Sequence, residues 1–190
     1  MTRKILLVLA LCCLVSGASA ATLDGVTLPD SYVVDGQALP LNGIGVRLYS
    51  IFRVRIYVAG LYLARPSHDS VQILHSSEPK VVRMKFVHGG SREQVQDHYR
   101  EGEDNECRSG GCDPSDGPDF ERLVAAVPAV QPGDTTTFVF VGKGFRVLSN
   151  DRLIIQITNP DLAYHMLDGF IGEHPPSKQL RDGLLGLPQD

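Results

Sequence analysis

After residue 20 the chain has no apolar run long enough to cross a bilayer, which excludes a transmembrane helix from its body. The one early apolar run, residues 5–15, is itself short for a span. It follows Arg3 and Lys4 and precedes Ala18-Ser19-Ala20. A basic start, an apolar stretch and a small-x-small site predict a signal peptide over residues 1–20, cleaved after Ala20. A retained anchor helix is the alternative. Lipoprotein processing is disfavoured because Leu11, not a small residue, precedes Cys12.

Positive charge is also in short supply. Lys and Arg number 18 against 22 Asp and Glu, a net charge of −4, and losing Arg3 and Lys4 with the leader takes that to −6. An acidic domain is a poor fit to general nucleic-acid or anionic-surface binding, so no nucleic-acid partner is expected and any arginine cluster is a local feature. Of the four cysteines, Cys12 and Cys13 leave with the leader, and only Cys107 and Cys112 remain, spaced C-x4-C. In an oxidising compartment that pair predicts an intrachain disulfide. A zinc site would need two further ligands, and the six histidines show no H-x-x-x-H spacing. No metal and no cofactor are expected. Asp113, Asp116 and Asp119 do not have EF-hand spacing and read as a solvated loop. The chain shows no internal repeat and no low-complexity tract, and the remaining residues, about 170, suit one domain with a single core over 21–190.

What is present is concentrated between Leu41 and Leu63. Phe52, Val54, Ile56 and Val58 alternate with Arg53, Arg55, Tyr57 and Ala59, a period of two that predicts strand with one apolar face and one bearing arginines and a phenol. The segment from Val46 is long for one strand, so a turn is expected near Ser50–Arg53. Gly43-Ile44-Gly45 lacks both the third glycine and the following helix of a nucleotide loop; close backbone packing or a tight turn is the expected role.

Elsewhere the order is strands, helices, strands, helices. Asp35-Gly36 predicts a hairpin turn between two short strands in 23–41. Ser67 or Asp69 opens a short helix to Leu74, and 80–87 is a strand. Ser91 with Gln94 forms a capping box for a mostly polar helix running to about Gly102. Residues 103–118 read as loop, and Phe120, Leu123, Val124 and Val127 have helical spacing. Strands follow over 135–141, 145–149 and 152–158. Asn159-Pro160 caps a helix to Gly169, and Ser177 starts the last one, stopped near Gly186. This order predicts an α+β fold, a largely antiparallel sheet with helices packed on one face.

Three separated blocks carry a family resemblance. Gly43 to Arg47 with Tyr57 to Leu63, then Val127 to Asp134, then Phe170 to Ser177 with Leu184 to Gly186, resemble the bacterial, exported branch of the chalcone isomerase-like proteins. The resemblance covers roughly 24–187 and implies an open-faced β-sandwich of the chalcone isomerase type. It also puts Arg47 where the family keeps an arginine facing the ligand cleft, and Tyr57 where true isomerases resemble a ketone-polarising threonine. Fatty-acid-binding members of the fold pair an arginine with a tyrosine on a carboxylate. Arg47 and Tyr57 are therefore the candidate ligand-binding residues; a surface arginine and a solvent-facing strand tyrosine are the plain alternatives. The isomerases' helix tyrosine and asparagine align with Val95 and Gly102, His98 and Tyr99 lie near, and a further hydroxyl position is Gly169. Each lost oxyanion donor removes a factor of about 10²–10³ in rate. No catalytic residue is assigned on that ground.

Three functions remain in order. The first is a non-catalytic periplasmic binding protein for a fatty acid or similar amphipathic carboxylate. The second is an intramolecular lyase or isomerase, with Tyr57, Tyr99 or His98 as the available acid or base. The third is a ligand-free interaction module, favoured if bulky residues such as Tyr49 and Phe86 fill the space beside Arg47.

Overall fold

A computed structural model describes residues 20–108, 116–175 and 177–188. The signal-peptide expectation falls on residues 1–19 outside that range, apart from Ala20. The disulfide expectation falls partly outside it, because Cys112 does.

Two Asp-Gly dipeptides organise the N-terminal part. β1 (Ala20–Leu23) and β2 (Val26–Pro29) pair across Asp24-Gly25, and β3 (Ser31–Val34) pairs with β4 (Gln37–Tyr49) across Asp35-Gly36. Asp24, Gly25, Asp35 and Gly36 all have φ between +47° and +87°, as a two-residue hairpin turn matched to strand twist requires. The second turn follows the sequence expectation. The first adds a hairpin to it, although Asp24-Gly25 carries the same signal.

β5 (Val54–Leu63), β6 (Lys80–Phe86), β7 (Thr135–Val141), β8 (Gly144–Ser149) and β9 (Arg152–Ile157) complete a seven-stranded sheet of order β3-β4-β5-β6-β7-β8-β9, antiparallel throughout. Each strand lies beside its neighbour in sequence, so every strand-to-strand connection is local in the sheet. α1 (Ser70–His75), α2 (Arg92–Arg108), α3 (Gly117–Ala126), α4 (Pro160–Ile171) and α5 (Lys178–Leu184) are the helices of the described residues.

The main core lies between the sheet and the helices. Ala59, Leu61, Val82, Met84, Phe138, Phe145 and Val147 meet Phe120, Leu123 and Val124 of α3, Leu162, Leu167 and Ile171 of α4, and Leu180 and Leu184 of α5. The other face is covered near β4 and β5 by the β1–β2 hairpin, through Val26 and Leu28 against Val46 and Val58. A second patch on that face joins Val34 and Leu39 to Tyr62, Val81 and Val139. This is the α+β open-faced sandwich expected from the sequence.

The caps match the sequence reading. Asp69, Asn159 and Ser177 each accept a backbone N–H at the start of α1, α4 and α5. Ser91 and Gln94 form both bonds of the capping box, at 2.8 and 3.3 Å. Two expectations are corrected. α2 continues to Arg108, and α3 already begins at Gly117, so the ends of the expected 103–118 loop are helical. The β5 segment also does not have one polar face. Ala59, Leu61 and Leu63, on the side of Tyr57, are buried in the main core, because a central strand of a covered sheet packs on both sides.

Candidate functional site

Arg47 stands directly opposite Tyr57 in the β4–β5 ladder, and Tyr57 directly opposite Phe86 in the β5–β6 ladder. Residues facing each other across an antiparallel ladder share a face, so the three side chains form one row on the helix side of the sheet. The row lies beside a β-bulge. Arg47 pairs with Tyr57 while Leu48 pairs with Arg55, leaving Ile56 as an extra residue on β5. The Ile56 carbonyl accepts from the N–H groups of both Val87 and His88, which anchors the irregularity to the end of β6. An extra residue flips the alternation of side chains. Arg55 therefore leaves the face of Tyr57 and reaches Asp24 in the β1–β2 turn, at 3.2 Å. The sequence alternation, which put Arg53, Arg55 and Tyr57 together, fails at this bulge.

The surroundings of the row are aromatic. The Tyr57 and Phe86 rings meet edge-on at 5.7 Å. Tyr99, from α2, packs on Phe138 at 6.4 Å and against the main core. Arg47 donates to the Leu48 carbonyl at 2.8 Å, and its guanidinium lies 5.9 Å from the centre of the Tyr49 ring. Tyr49 in turn meets the His98 ring edge-on at 4.8 Å, closing the rim against α2. Tyr49 and Phe86, the rings whose crowding favours a ligand-free interaction module, do border Arg47 and Tyr57, and that alternative gains from the geometry.

Electrostatics define what these groups can do. Burial pushes the Tyr57 phenol up to about 12, and the nearby Arg47 charge acts against that rise. Tyr99 is raised too, first by burial and then by Tyr57. Both phenols are neutral hydrogen-bond donors near pH 7, far from the poise of a general base or acid. His98 is exposed, beside Glu101 at 3.4 Å and against the outer side of Tyr49. Of the three residues available for proton transfer, two are locked neutral and the third sits on the rim. What remains is a half-buried guanidinium next to a neutral phenol, an arrangement that binds an anion with charge-assisted hydrogen bonds.

The two expected ligand-binding residues are thus brought together, on the helix-facing side of the sheet. Gly102 and Gly169, two of the positions that depart from the isomerase pattern, have open space where a Cβ would be. Val95 packs against the core as an apolar residue. Sequence reasoning missed the part of Tyr99 as a wall of the site; Val95 and Tyr99, four apart on an otherwise polar helix, were the available signal.

It also missed a polar clamp between helices. Asp116, only 1% exposed, lies 2.6 Å from His165 Nδ1 and accepts from Asn159 Nδ2 at 3.1 Å. Burial, followed by Asp116, raises the Glu103 carboxyl on α2 beside it. The clamp joins the start of α3 to α4, and the same Asn159 caps α4 through its other amide atom. Among the described residues no group of three or more His, Cys, Asp or Glu is arranged to hold a metal ion, and no helix is long and apolar enough to cross a membrane.

Gly43 and Gly45 have the close-packing role expected of them. A Cβ on Gly43 would run into the backbone of Gly183, Leu184 and Gly186, and one on Gly45 into the carbonyls of Gln179 and Leu180. α5 therefore lies directly on β4. Its cap, Ser177, donates to the Val46 carbonyl at 3.2 Å, next to Arg47.

Comparison with known proteins agrees with this architecture. Among curated proteins none matches the sequence. The crystal structure of a fatty-acid binding protein of Arabidopsis thaliana superposes with a TM-score of 0.71 at 16% identity, covering 88% of this chain and 96% of that one. At that identity the likeness is one of fold. The profile of the chalcone isomerase-like family matches residues 20–186, from β1 through α5 and including the Arg47–Tyr57 ladder, and the chain belongs to that family.

Proposed function

We propose that this protein is a non-catalytic carrier that binds a fatty acid or similar amphipathic carboxylate, with Arg47 and Tyr57 on the carboxylate. The observation that carries the reading is the direct cross-strand register of Arg47 and Tyr57 on the core side of the sheet, with the phenol held neutral. The carboxylate takes two guanidinium hydrogen bonds and one from the phenol. The acyl chain would be taken up against the aromatic groups that border the pair, Tyr49 and Phe86, which must part to admit it. Each buried methylene adds about 0.8 kcal/mol, so the tail sets affinity and the arginine sets orientation. The superposed Arabidopsis fatty-acid binding protein supports the ligand class.

Calorimetric titration with oleate tests this. Arg47→Ala weakens binding about tenfold or more, as loss of a charge-assisted pair does, and Tyr57→Phe weakens it less. No binding by the wild-type protein overturns the reading. The alternative is an intramolecular lyase or isomerase acting on an unidentified substrate; with a chalcone the expected result is no turnover above the uncatalysed rate, and stereoselective turnover lost in Arg47→Ala overturns that expectation.

The basic, apolar and small-residue pattern of residues 1–20 supports export to a bacterial periplasm, and Cys107 and Cys112 are expected to be linked there. Peptide mapping of periplasmic material without reduction should give one linked peptide; two free thiols overturn the linkage. Native mass spectrometry of the same material shows any ligand carried along.

A further inference from the structure

The apex of the β4–β5 hairpin presents apolar side chains to water. Ile51 is 90% exposed and Phe52 82%, with Val54 and Tyr49 part-exposed beneath them. The turn is well defined. The Arg53 N–H donates to the Ser50 carbonyl at 3.1 Å, and the Phe52 N–H to Ser50 Oγ at 3.2 Å. Ser50 and Arg53 have φ of +62° and +52°, a region that non-glycine residues occupy at a cost. The β1–β2 and β3–β4 turns use Asp-Gly for the same reversal. Here two strained residues bracket two large apolar ones, and strain of this kind is more often kept for function than for stability.

The cations of the apex are as well placed as its apolar groups. Arg53 is exposed in the turn itself, and Arg55 lies just below, sharing its charge with Asp24 at 3.2 Å. An apolar tip flanked by the Arg53 and Arg55 guanidinium groups fits a bilayer interface, where the tip enters the acyl region and the arginines meet phosphates. It does not fit a stable protein partner, which needs about 1,000 Å² of contact and a broad complementary face. The chain as a whole carries net negative charge, so attraction to an anionic surface has to come from a local cationic feature such as this one. Arg47 is two residues from Tyr49, the last strand residue before the turn, roughly 7 Å of strand. A docked apex would bring the Arg47–Tyr57 row near the headgroups.

We infer that the β4–β5 apex, Ile51 and Phe52 with Arg53, docks this protein on an anionic lipid bilayer. The purpose of the docking, transfer of an acyl chain to or from the membrane, rests on the fatty-acid reading; the docking itself rests on the hairpin. Flotation with vesicles of equal parts phosphatidylcholine and phosphatidylglycerol tests it, with phosphatidylcholine vesicles as the second arm. The wild-type protein floats with the mixed vesicles, less with phosphatidylcholine alone, and less again as salt is raised. Ile51→Ser with Phe52→Ser lowers the partition at least about tenfold, as loss of two apolar side chains from the interface does. Arg53→Glu lowers it only on the anionic vesicles. Thermal melts and oleate titration of the same variants show that fold and solution binding are kept.

Equal flotation of the wild-type and double-serine proteins overturns the inference, as does absence of flotation. A change in oligomeric state on the double substitution, without lipid, also overturns it and makes the apex a protein contact. Flotation without oleate binding sinks the carrier reading and leaves the docking intact; oleate binding without flotation does the reverse.

Discussion

The two ends of the β4–β5 hairpin differ in what their side chains are for. At the base, Gly43 and Gly45 have no side chain, so that the backbone of α5 can rest on the strand. At the apex, Ile51 and Phe52 have large apolar side chains that touch little of the protein. Arg47 and Tyr57 stand between the two ends, on the core side and beside the Ile56 bulge. The base is optimised for contact within the chain, and the apex carries residues that folding alone would not select. One hairpin therefore has a stability end and a recognition end, with the candidate ligand groups at the junction.

The comparison predicts a steep gradient of mutational cost along the hairpin. The largest effect belongs to the base. Gly45→Ala or Gly43→Ala places a methyl against α5 backbone that cannot rotate aside, and should cost about 3 kcal/mol or more in urea unfolding. A loss under about 1 kcal/mol would mean that α5 shifts freely and the base is not the stability end.

The next effect sharpens the position of the middle. Tyr57 and Tyr62 are each raised from 10.0 to about 12, in both cases first by burial. A raised phenol favours the folded state while neutral. That stability is complete below pH 10 and is lost as pH rises through about 12. Each shift corresponds to roughly 2–3 kcal/mol. Unfolding midpoints measured between pH 9 and 12 should fall steeply in the upper part of that range. Among the described residues the buried Tyr62 hydroxyl has no hydrogen-bond partner, so Tyr62→Phe should be neutral or stabilising at pH 7 and, with Tyr57 and Tyr99 also raised, should remove about a third of the alkaline loss. An unchanged alkaline profile in that variant would place the titration elsewhere.

A smaller effect is expected where α5 starts. Ser177 Oγ accepts from the Leu180 N–H at 3.1 Å and donates to the Val46 carbonyl at 3.2 Å. Ser177→Ala should cost about 1 kcal/mol. The smallest belongs to the apex: Ile51→Ser with Phe52→Ser should change stability by no more than about 0.5 kcal/mol. A large loss there would show that the apex is part of the core, and the contrast between the ends would collapse.

Much of the fold was legible in short stretches. The Asp35-Gly36 turn, the Ser91–Gln94 box and the Asn159 and Ser177 caps depend on residues within about four positions of one another, so their chemistry can be read from the chain. Alternation located the strands and helical spacing located the buried face of α3. The reading weakened where two signals competed. Residues 103–108 are polar and precede a Gly-rich segment, which reads as loop, but the helix begun by the capping box continues through them. The candidate pair was legible only by likeness to a family. Neither Arg47 nor Tyr57 shows by composition or spacing which face it occupies.

The Asp35-Gly36 turn, the caps, most of the strand and helix order and the hairpin that carries Arg47 and Tyr57 follow from local backbone preferences and side-chain periodicity, and so can be read from the chain. Which residues share a face is set by packing between distant segments. The Ile56 bulge sends Arg55 to Asp24 and leaves Tyr57 opposite Arg47. α2 brings Tyr99 within electrostatic reach of Tyr57, and α5 arrives from more than a hundred residues away to lie on Gly43 and Gly45. Those contacts depend on register and on packing between distant segments, and a one-residue change in register moves every later side chain to the other face of the sheet.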